Sequence, residues 1–251
     1  MAVVVTRPQP EATRWAARLR EVGVAAIELP LLAIVPPLDA GPVRAVAASL
    51  HAYRAVMFVS ANAVQGFFAI ASGWTGARAW APGPATSEAL HAAGVPAACI
   101  DAPAHDAAQF DSESLWQQVH GQLNAGDRLL LVRGADAEGR SQGREWLAAQ
   151  LAARGVRVDT VAAYRRTVPT WREDERALAR RCATDGSVWL FSSSEAAAHL
   201  AQLAPGQDWS GARAVATHPR IQEAVRALGF AVVQASRPAF DDVVASIKSQ
   251  R

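Results

Sequence analysis

"FVSANAVQGFF", residues 58–68, decides the fold. An apolar run, Ala55 to Val59, stops at Ser60, and an amphipathic stretch begins at once. "FSSSEAAAHL" (191–200) does nearly the same in the second half of the chain. A buried strand that hands over to a helix through a serine is the joint of a strand–helix unit, with the hydroxyl placed to cap the helix. Further short apolar runs near 2–6, 24–28, 55–59, 78–81, 97–100, 128–132, 157–161, 187–191, 213–216 and 231–234 read as strands. Between them lie amphipathic stretches such as "PEATRWAARLREVG" (10–23) and "GREWLAAQLAARG" (143–155), each closing on a glycine suited to a helix C-terminus. Strand–helix alternation predicts an α/β protein with parallel sheets covered by helices.

The two halves echo each other in order. "VVVTRP…WAARLREVGV" (3–24) resembles "LLLVRG…WLAAQLAARGV" (129–156), "FVSANAV" (58–64) matches "FSSSEAA" (191–197), and "GPATSEALHAAG" (83–94) matches "HPRIQEAVRALG" (218–229). A duplicated α/β unit of about five strands accounts for the series. Each copy is broken at a matching place by a short apolar stretch ending in proline, "LPLLAIVPP" (29–37) and "VAAYRRTVPT" (161–170). If both breaks are linkers, the chain crosses between domains twice. One domain then combines 1–35 with 168–251, and 36–167 forms the other, with linker strands near 30–36 and 162–168. A tandem cut near residue 125 is the simpler alternative at this stage.

Composition narrows the function. With 251 residues, 51% hydrophobic and 19% charged, the chain can bury the core of one large domain or two smaller ones. No apolar run reaches the ~18 residues of a membrane span, and "MAVVVTRPQ" reads as a first strand, not a signal peptide. Cys99 and Cys182 stand far apart in no metal or redox spacing, which fits a reduced, cytoplasmic setting. The six histidines form no HxH or HxxxH pair, so no metal site is expected. The net charge of +2 argues against a nucleic-acid partner. All 25 basic side chains except Lys248 are arginine, the side chain best shaped to grip carboxylates.

In parallel sheets, ligands bind at the carboxyl ends of strands, where helix N-termini offer free N–H groups to anions. Ser60 and Ser193 stand at such ends. They either simply cap their helices or face a shared cleft and hold carboxylates. Thr86, after the Gly83-Pro84 turn, has the same two readings, and His218 and Arg220 occupy the matching turn of the second copy. "GADAEGRS" (134–141) is one residue from a phosphate loop, but Arg140 replaces the lysine, and Asp136 and Glu138 would repel phosphate. No G-x-G-x-x-G and no G-x-S-x-G occurs. Tyr164, one of two tyrosines, lies in a predicted linker. It serves there either as an amphipathic packing residue or as a phenol able to donate a proton.

These motifs, in this order, resemble the bacterial uroporphyrinogen-III synthase family. The features are "VTRP", "FVSANAV", "GPATSEAL", "FDSESL" (110–115), "LLLVRG…GREWL", "RGVRVDTVAAYRRT", "FSSSEA" and "HPRIQEAVRALGF", and they cover nearly the whole chain. The resemblance implies two similar parallel-sheet domains with flanking helices, joined by a two-stranded antiparallel linker, the first domain being discontinuous. It implies a lyase of haem (porphyrin) biosynthesis working without cofactors. Hydroxymethylbilane, a linear tetrapyrrole with eight carboxylates, loses its terminal hydroxyl and is cyclised with inversion of the last ring through a spiro intermediate. Position by position, Tyr164 matches a tyrosine that assists hydroxyl loss, Ser60 and Ser193 match strand-end serines that touch substrate carboxylates, and Thr86 matches the hydroxyl of the first turn. The second turn reads H-P-R-I-Q where the family commonly has G-P-T-T-A, leaving His218 and Arg220 as its polar donors. Ala61, Asn62, Ser194, Arg7 and Arg133 complete the expected substrate-binding set. The expected partners are the substrate and, transiently, hydroxymethylbilane synthase as its source, with no nucleic acid and no membrane, and the chain acting as a monomer. The alternative is a two-domain binding or sensor protein that closes on an acidic ligand without chemistry.

Overall fold

The structure, a computed structural model, describes residues 2–74, 76–104, 112–140 and 145–250. Along these residues run β1 (Val3–Val5), α1 (Glu11–Glu21), β2 (Ala26–Glu28), β3 (Ala33–Val35), α2 (Gly41–Ala48), β4 (Ala55–Phe58), α3 (Ala61–Phe68), β5 (Arg78–Trp80), α4 (Pro84–Ala92) and β6 (Ile100–Asp101). They continue with α5 (Ser112–Val119), β7 (Arg128–Ala135), α6 (Glu145–Ala153), β8 (Arg157–Thr167), α7 (Glu173–Cys182), β9 (Val188–Phe191), α8 (Ser194–Leu203), β10 (Arg213–Ala216), α9 (Pro219–Ala227), β11 (Val232–Ala235) and α10 (Phe240–Lys248). The chain divides into two compact units: Met1–Ile34 with Thr167–Arg251, and Val35–Arg166.

The sheet of the first unit has the order β11-β10-β9-β1-β2, with every pair parallel. The other sheet has the order β3-β8-β7-β4-β5-β6, parallel from β8 to β6. With β7 in the place of β1, β8 of β2, and β4, β5 and β6 of β9, β10 and β11, the two orders coincide. The repeat read from the residues is therefore a repeat of topology. In each unit the order reverses at one place, between β1 and β9 and between β7 and β4. Such a reversal leaves a crevice at the carboxyl ends of two adjacent strands.

Apolar periodicity explains the layers. In α1, Ala12, Ala16 and Leu19 are buried at helical spacing. They pack with Val243 and Ile247 of α10 on Val3, Val5, Val188, Leu190 and Val215. The alternate residues Val4, Trp189, Phe191, Ala214 and Ala216 face the other way, against α7, α8 and α9. Strands covered on both faces are apolar at every position, which is why β9 reads Val-Trp-Leu-Phe without a break. In the second unit, α5 and α6 cover Ala55, Met57, Trp80, Leu129 and Leu131. The helix endings repeat as well. Val24 N–H donates to Leu19 O at 2.9 Å and Val156 N–H to Leu151 O at 3.1 Å. The intervening Gly23 and Gly155 sit at φ +75° and +69°, where a side chain would be strained.

Two expected elements differ. The strand predicted over 97–100 is a 3₁₀ turn, Ala97–Cys99, closed by Cys99 N–H on Pro96 O at 2.8 Å, followed by the two-residue β6. Small residues directly after a proline favour the turn over the extended chain. The segment predicted as a linker near 162–168 is not separate from the strand at 157–161. β8 is one strand of eleven residues, paired with β7 from Arg157 to Arg165 except at Ala163, and flanked by β3. No glycine or proline interrupts "RVDTVAAYRRT", so the strand runs on through 162–167 without a break.

Candidate functional site

Ser60 follows β4 in extended conformation (φ −166°, ψ 165°) and caps α3, its Oγ accepting from Ala63 N–H at 3.2 Å. Because Oγ accepts that bond, its own proton remains available. The phenolic oxygen of Tyr164 lies 3.3 Å from Ser60 Oγ, and either hydroxyl can be the donor. Tyr164 is 6% exposed, and Ser60 is half-buried. The serine is therefore the accessible end of the pair and the tyrosine the sheltered end. Ala61 is buried and Asn62 half-buried in the first turn of α3. Arg133 is half-buried on β7, next to β4 across the order reversal.

Tyr164 reaches this place through a defect in the ladder. β7 and β8 pair residue for residue up to Arg133 with Ala162, and the next pair is Gly134 with Tyr164. Ala163 is thus an extra residue, a bulge, which turns the following side chain to the opposite face. Two glycines border it. A Cβ on Gly134 would lie 2.4 Å from Tyr164 Cζ and 2.7 Å from its hydroxyl oxygen. A Cβ on Gly66 of α3 would lie 2.4 Å from the Ala163 carbonyl oxygen. The tyrosine ring occupies space that only glycine leaves.

In the first unit, Ser193 caps α8 (Oγ accepting from Ala196 N–H at 3.4 Å), with Ser194 half-buried behind it. Thr6 Oγ1 donates to Leu190 O at 2.7 Å, tying β1 to β9 at the order reversal. Arg7 follows, its guanidinium 4.3 Å from the Trp15 ring centre and Nη1 3.1 Å from Glu11 Oε2. Burial lowers its pKa, and Glu11 partly restores it. Its Nε is buried with no hydrogen-bond partner among the described residues. His199 of α8 is buried, and its Nδ1 is 2.8 Å from Leu31 O. A carbonyl can only accept, so this nitrogen carries the proton.

The paired turns differ from the simplest expectation. Gly83, not Thr86, is the N-cap of α4, and Thr86 is buried, 5% exposed, in the first turn. Ile221 is buried at the matching place, which explains how an apolar residue can stand there. His218 caps α9, its Nδ1 accepting from Arg220 N–H at 3.2 Å, with both residues exposed. The imidazole does for this helix what a serine does elsewhere, and Arg220 remains open to solvent.

The phosphate-loop look-alike is satisfied from within. Asp136 Oδ1 accepts from the N–H groups of Glu138 (3.1 Å) and Arg140 (2.8 Å), and Oδ2 from Arg140 Nε at 2.9 Å. Burial raises the Asp136 pKa, but hydrogen bonds from the Arg140 backbone and side chain outweigh it and hold the carboxyl below its usual range. Its own carboxylate already takes up the Glu138 and Arg140 N–H groups. Ser141 and, in the "FDSESL" motif, Phe110 and Asp111 lie outside the described residues. Among the described residues, no cluster of histidine, cysteine and acidic side chains could hold a metal. No described helix is long and apolar enough to cross a membrane.

Residue reasoning found Tyr164 and Ser60 separately but not their contact, which depends on a bulge with no mark of its own in "VAAYRR". It also passed over Gly66 and His199. Their signal was the repeat itself: "FVSANAVQG" laid on "FSSSEAAAH" sets Gly66 against His199.

Two α/β units of one topology, each with a serine-capped helix and polar groups at its order reversal, define a duplicated α/β protein. Residues 13–245 match the family model described as uroporphyrinogen-III synthase HemD. A protein named uroporphyrinogen-III synthase from Synechococcus elongatus is 30% identical over 217 residues, covering 83% of this chain and 77% of that protein. The fold matches the crystal structure of uroporphyrinogen-III synthetase from Helicobacter pylori (TM-score 0.63, 13% identity, 100% of this chain and 99% of that one). It also matches that of a mutant uroporphyrinogen III synthase from Thermus thermophilus (TM-score 0.53, 15% identity, 100% and 98%). The chain belongs to the uroporphyrinogen-III synthase family, enzymes of tetrapyrrole biosynthesis.

Proposed function

We propose that this chain cyclises hydroxymethylbilane to uroporphyrinogen III, releasing one water, with the Ser60–Tyr164 pair assisting departure of the terminal hydroxyl. The observation that carries this reading is the 3.3 Å contact between the two hydroxyls at the end of β4, in a chain of this family. Tyr164 donates to Ser60, and Ser60 passes its proton to the leaving oxygen. The resulting cation, stabilised by its pyrrole nitrogen, is attacked by the substituted carbon of the last ring. That spiro species opens, recloses at the inverted position and loses a proton, so the proton supplied is regained. Positioned proton transfer of this kind is worth on the order of 10²–10⁴ in rate. The substrate can close unaided without inversion, so the remaining task is to hold one folded shape of the chain.

In our reading each unit carries donors of its own for acidic groups. The N-termini of α3 and α8, capped by Ser60 and Ser193, take acidic side chains of the substrate, with Arg7, Arg133 and Arg220 as charged donors. Ala61, Asn62 and Ser194 supply first-turn groups, and Thr86 shapes the first turn from within. The substrate closes spontaneously, which favours quick transfer from the enzyme that makes it; we take the receiving chain to be a cytoplasmic monomer. Incubation of the purified chain with fresh hydroxymethylbilane tests the reading. Uroporphyrinogen III is the expected product; uroporphyrinogen I alone, at the uncatalysed rate, would leave a non-catalytic binder of acidic ligands instead.

A further inference from the structure

We infer that Gly134 and Gly66 are positioning residues for Tyr164: together with the Ala163 bulge they form the slot that delivers its phenol to Ser60. Three observations converge. The Tyr164 ring fills the space where a Gly134 side chain would begin, with Cζ, Cε2 and the hydroxyl oxygen all within 2.7 Å of that point. The bulge that turns Tyr164 to this face sets the Ala163 carbonyl so close to α3 that a Cβ on Gly66 would lie 2.4 Å from its oxygen and 3.3 Å from Tyr164 Cβ. The other copy of the repeat supplies a control. It has Leu32 where Tyr164 stands, counting from the shared Gly-Val, and it has neither glycine: Pro8 stands for Gly134 and His199 for Gly66. The unit without the phenol does without the slot. Neither glycine is at positive φ, so space, not backbone freedom, is the reason for glycine here.

This inference deepens the proposed reaction: its turnover arms rest on Tyr164 acting there, whereas its resonance and stability arms do not. Labelling with 3-fluorotyrosine gives two ¹⁹F resonances, one for each tyrosine, assigned with Tyr53→Phe and Tyr164→Phe. In Gly134→Ala the Tyr164 resonance should move and the Tyr53 resonance should not. Turnover should fall on the order of 10²-fold, as small misplacements of reacting groups do, with KM little changed. In a Tyr164→Phe background the same change should cost turnover little more. Thermal stability lost in Gly134→Ala should return in Gly134→Ala/Tyr164→Ala, where the overlapping ring is gone, and Gly66→Ala should displace the Tyr164 resonance too. If Tyr164→Phe keeps full turnover while Gly134→Ala still shifts the resonance, the slot stands and the proton-donor reading falls. An unmoved Tyr164 resonance in Gly134→Ala, or a stability loss not recovered by Tyr164→Ala, overturns the slot.

Discussion

The ends of β4 and β9 are the same joint built twice, and they differ in what stands behind the serine. Both serines cap a helix, at 3.2 Å and 3.4 Å. Behind Ser193, the His199 side chain donates to the Leu31 carbonyl at 2.8 Å, and Leu31 and Leu32 are buried among apolar neighbours. Behind Ser60, Gly66 has no side chain, the Ala163 carbonyl comes close to the helix, and Tyr164 brings a hydroxyl within 3.3 Å of the serine. One copy closes the space with a histidine clamp, the other opens it for a phenol. Duplication thus gave two serine-capped joints, and the copies differ at three positions that let a phenol reach one of them. In the proposed reading both joints offer groups to acidic side chains, and only the joint at Ser60 adds a phenol.

The comparison breaks first at Tyr164. Tyr164→Phe should lower turnover on the order of 10²-fold with a smaller effect on KM, because only the proton is lost. Steady-state kinetics with product analysis checks this, and unchanged turnover would make the two joints equivalent. Next comes the clamp. His199→Leu leaves the buried Leu31 carbonyl without its donor and should cost about 1–3 kcal/mol of stability, read by urea unfolding, with turnover retained in the folded fraction. A variant as stable as the parent would show that the histidine only fills space.

The caps sharpen the contrast. Ser60→Ala and Ser193→Ala should each lose about 1 kcal/mol of stability. Only Ser60→Ala should also cut turnover steeply, since it alone adjoins the phenol, whereas Ser193→Ala should chiefly raise KM. Equal kinetic effects would refute the division of labour.

The smallest effect lies at the opposite end of β8. Hydrogen bonds from Arg128 and Tyr53 lower the Asp159 pKa. A carboxyl depressed in the folded state adds stability above its unfolded pKa, lost as the pH falls through the folded one. The Asp159 side chain is 42% exposed, so solvent screens most of this gain. Asp159→Asn should slightly flatten the acid limb of the stability–pH curve and leave turnover untouched. A steep loss of neutral-pH stability would mean that Asp159 holds more than a surface pair.

Much of this architecture was legible in the residues because it depends on local and repeated signals. Apolar runs ending in Ser60 and Ser193, and glycines closing α1 and α6, each carry a physical preference readable from a few neighbours. The prolines at 36–37 and 169 marked where the double crossing falls. The short 3₁₀ turn at Ala97–Cys99 was misread as strand because an apolar run alone does not distinguish the two. Thr86 was read as a helix cap or a ligand donor, yet Gly83 is the cap and Thr86 is buried, because a residue three places into a helix can face inward or outward and only packing decides which.

The order of elements, the duplication, the caps and the family resemblance all lay in the sequence, since each is written in residues close together or repeated at a fixed offset. The meeting of Ser60 with Tyr164, the bulge at Ala163, the need for glycine at 66 and 134 and the His199–Leu31 bond did not. They join residues far apart in the chain, and their geometry depends on ångström-scale strand register and helix distance, which only the packed sheet determines.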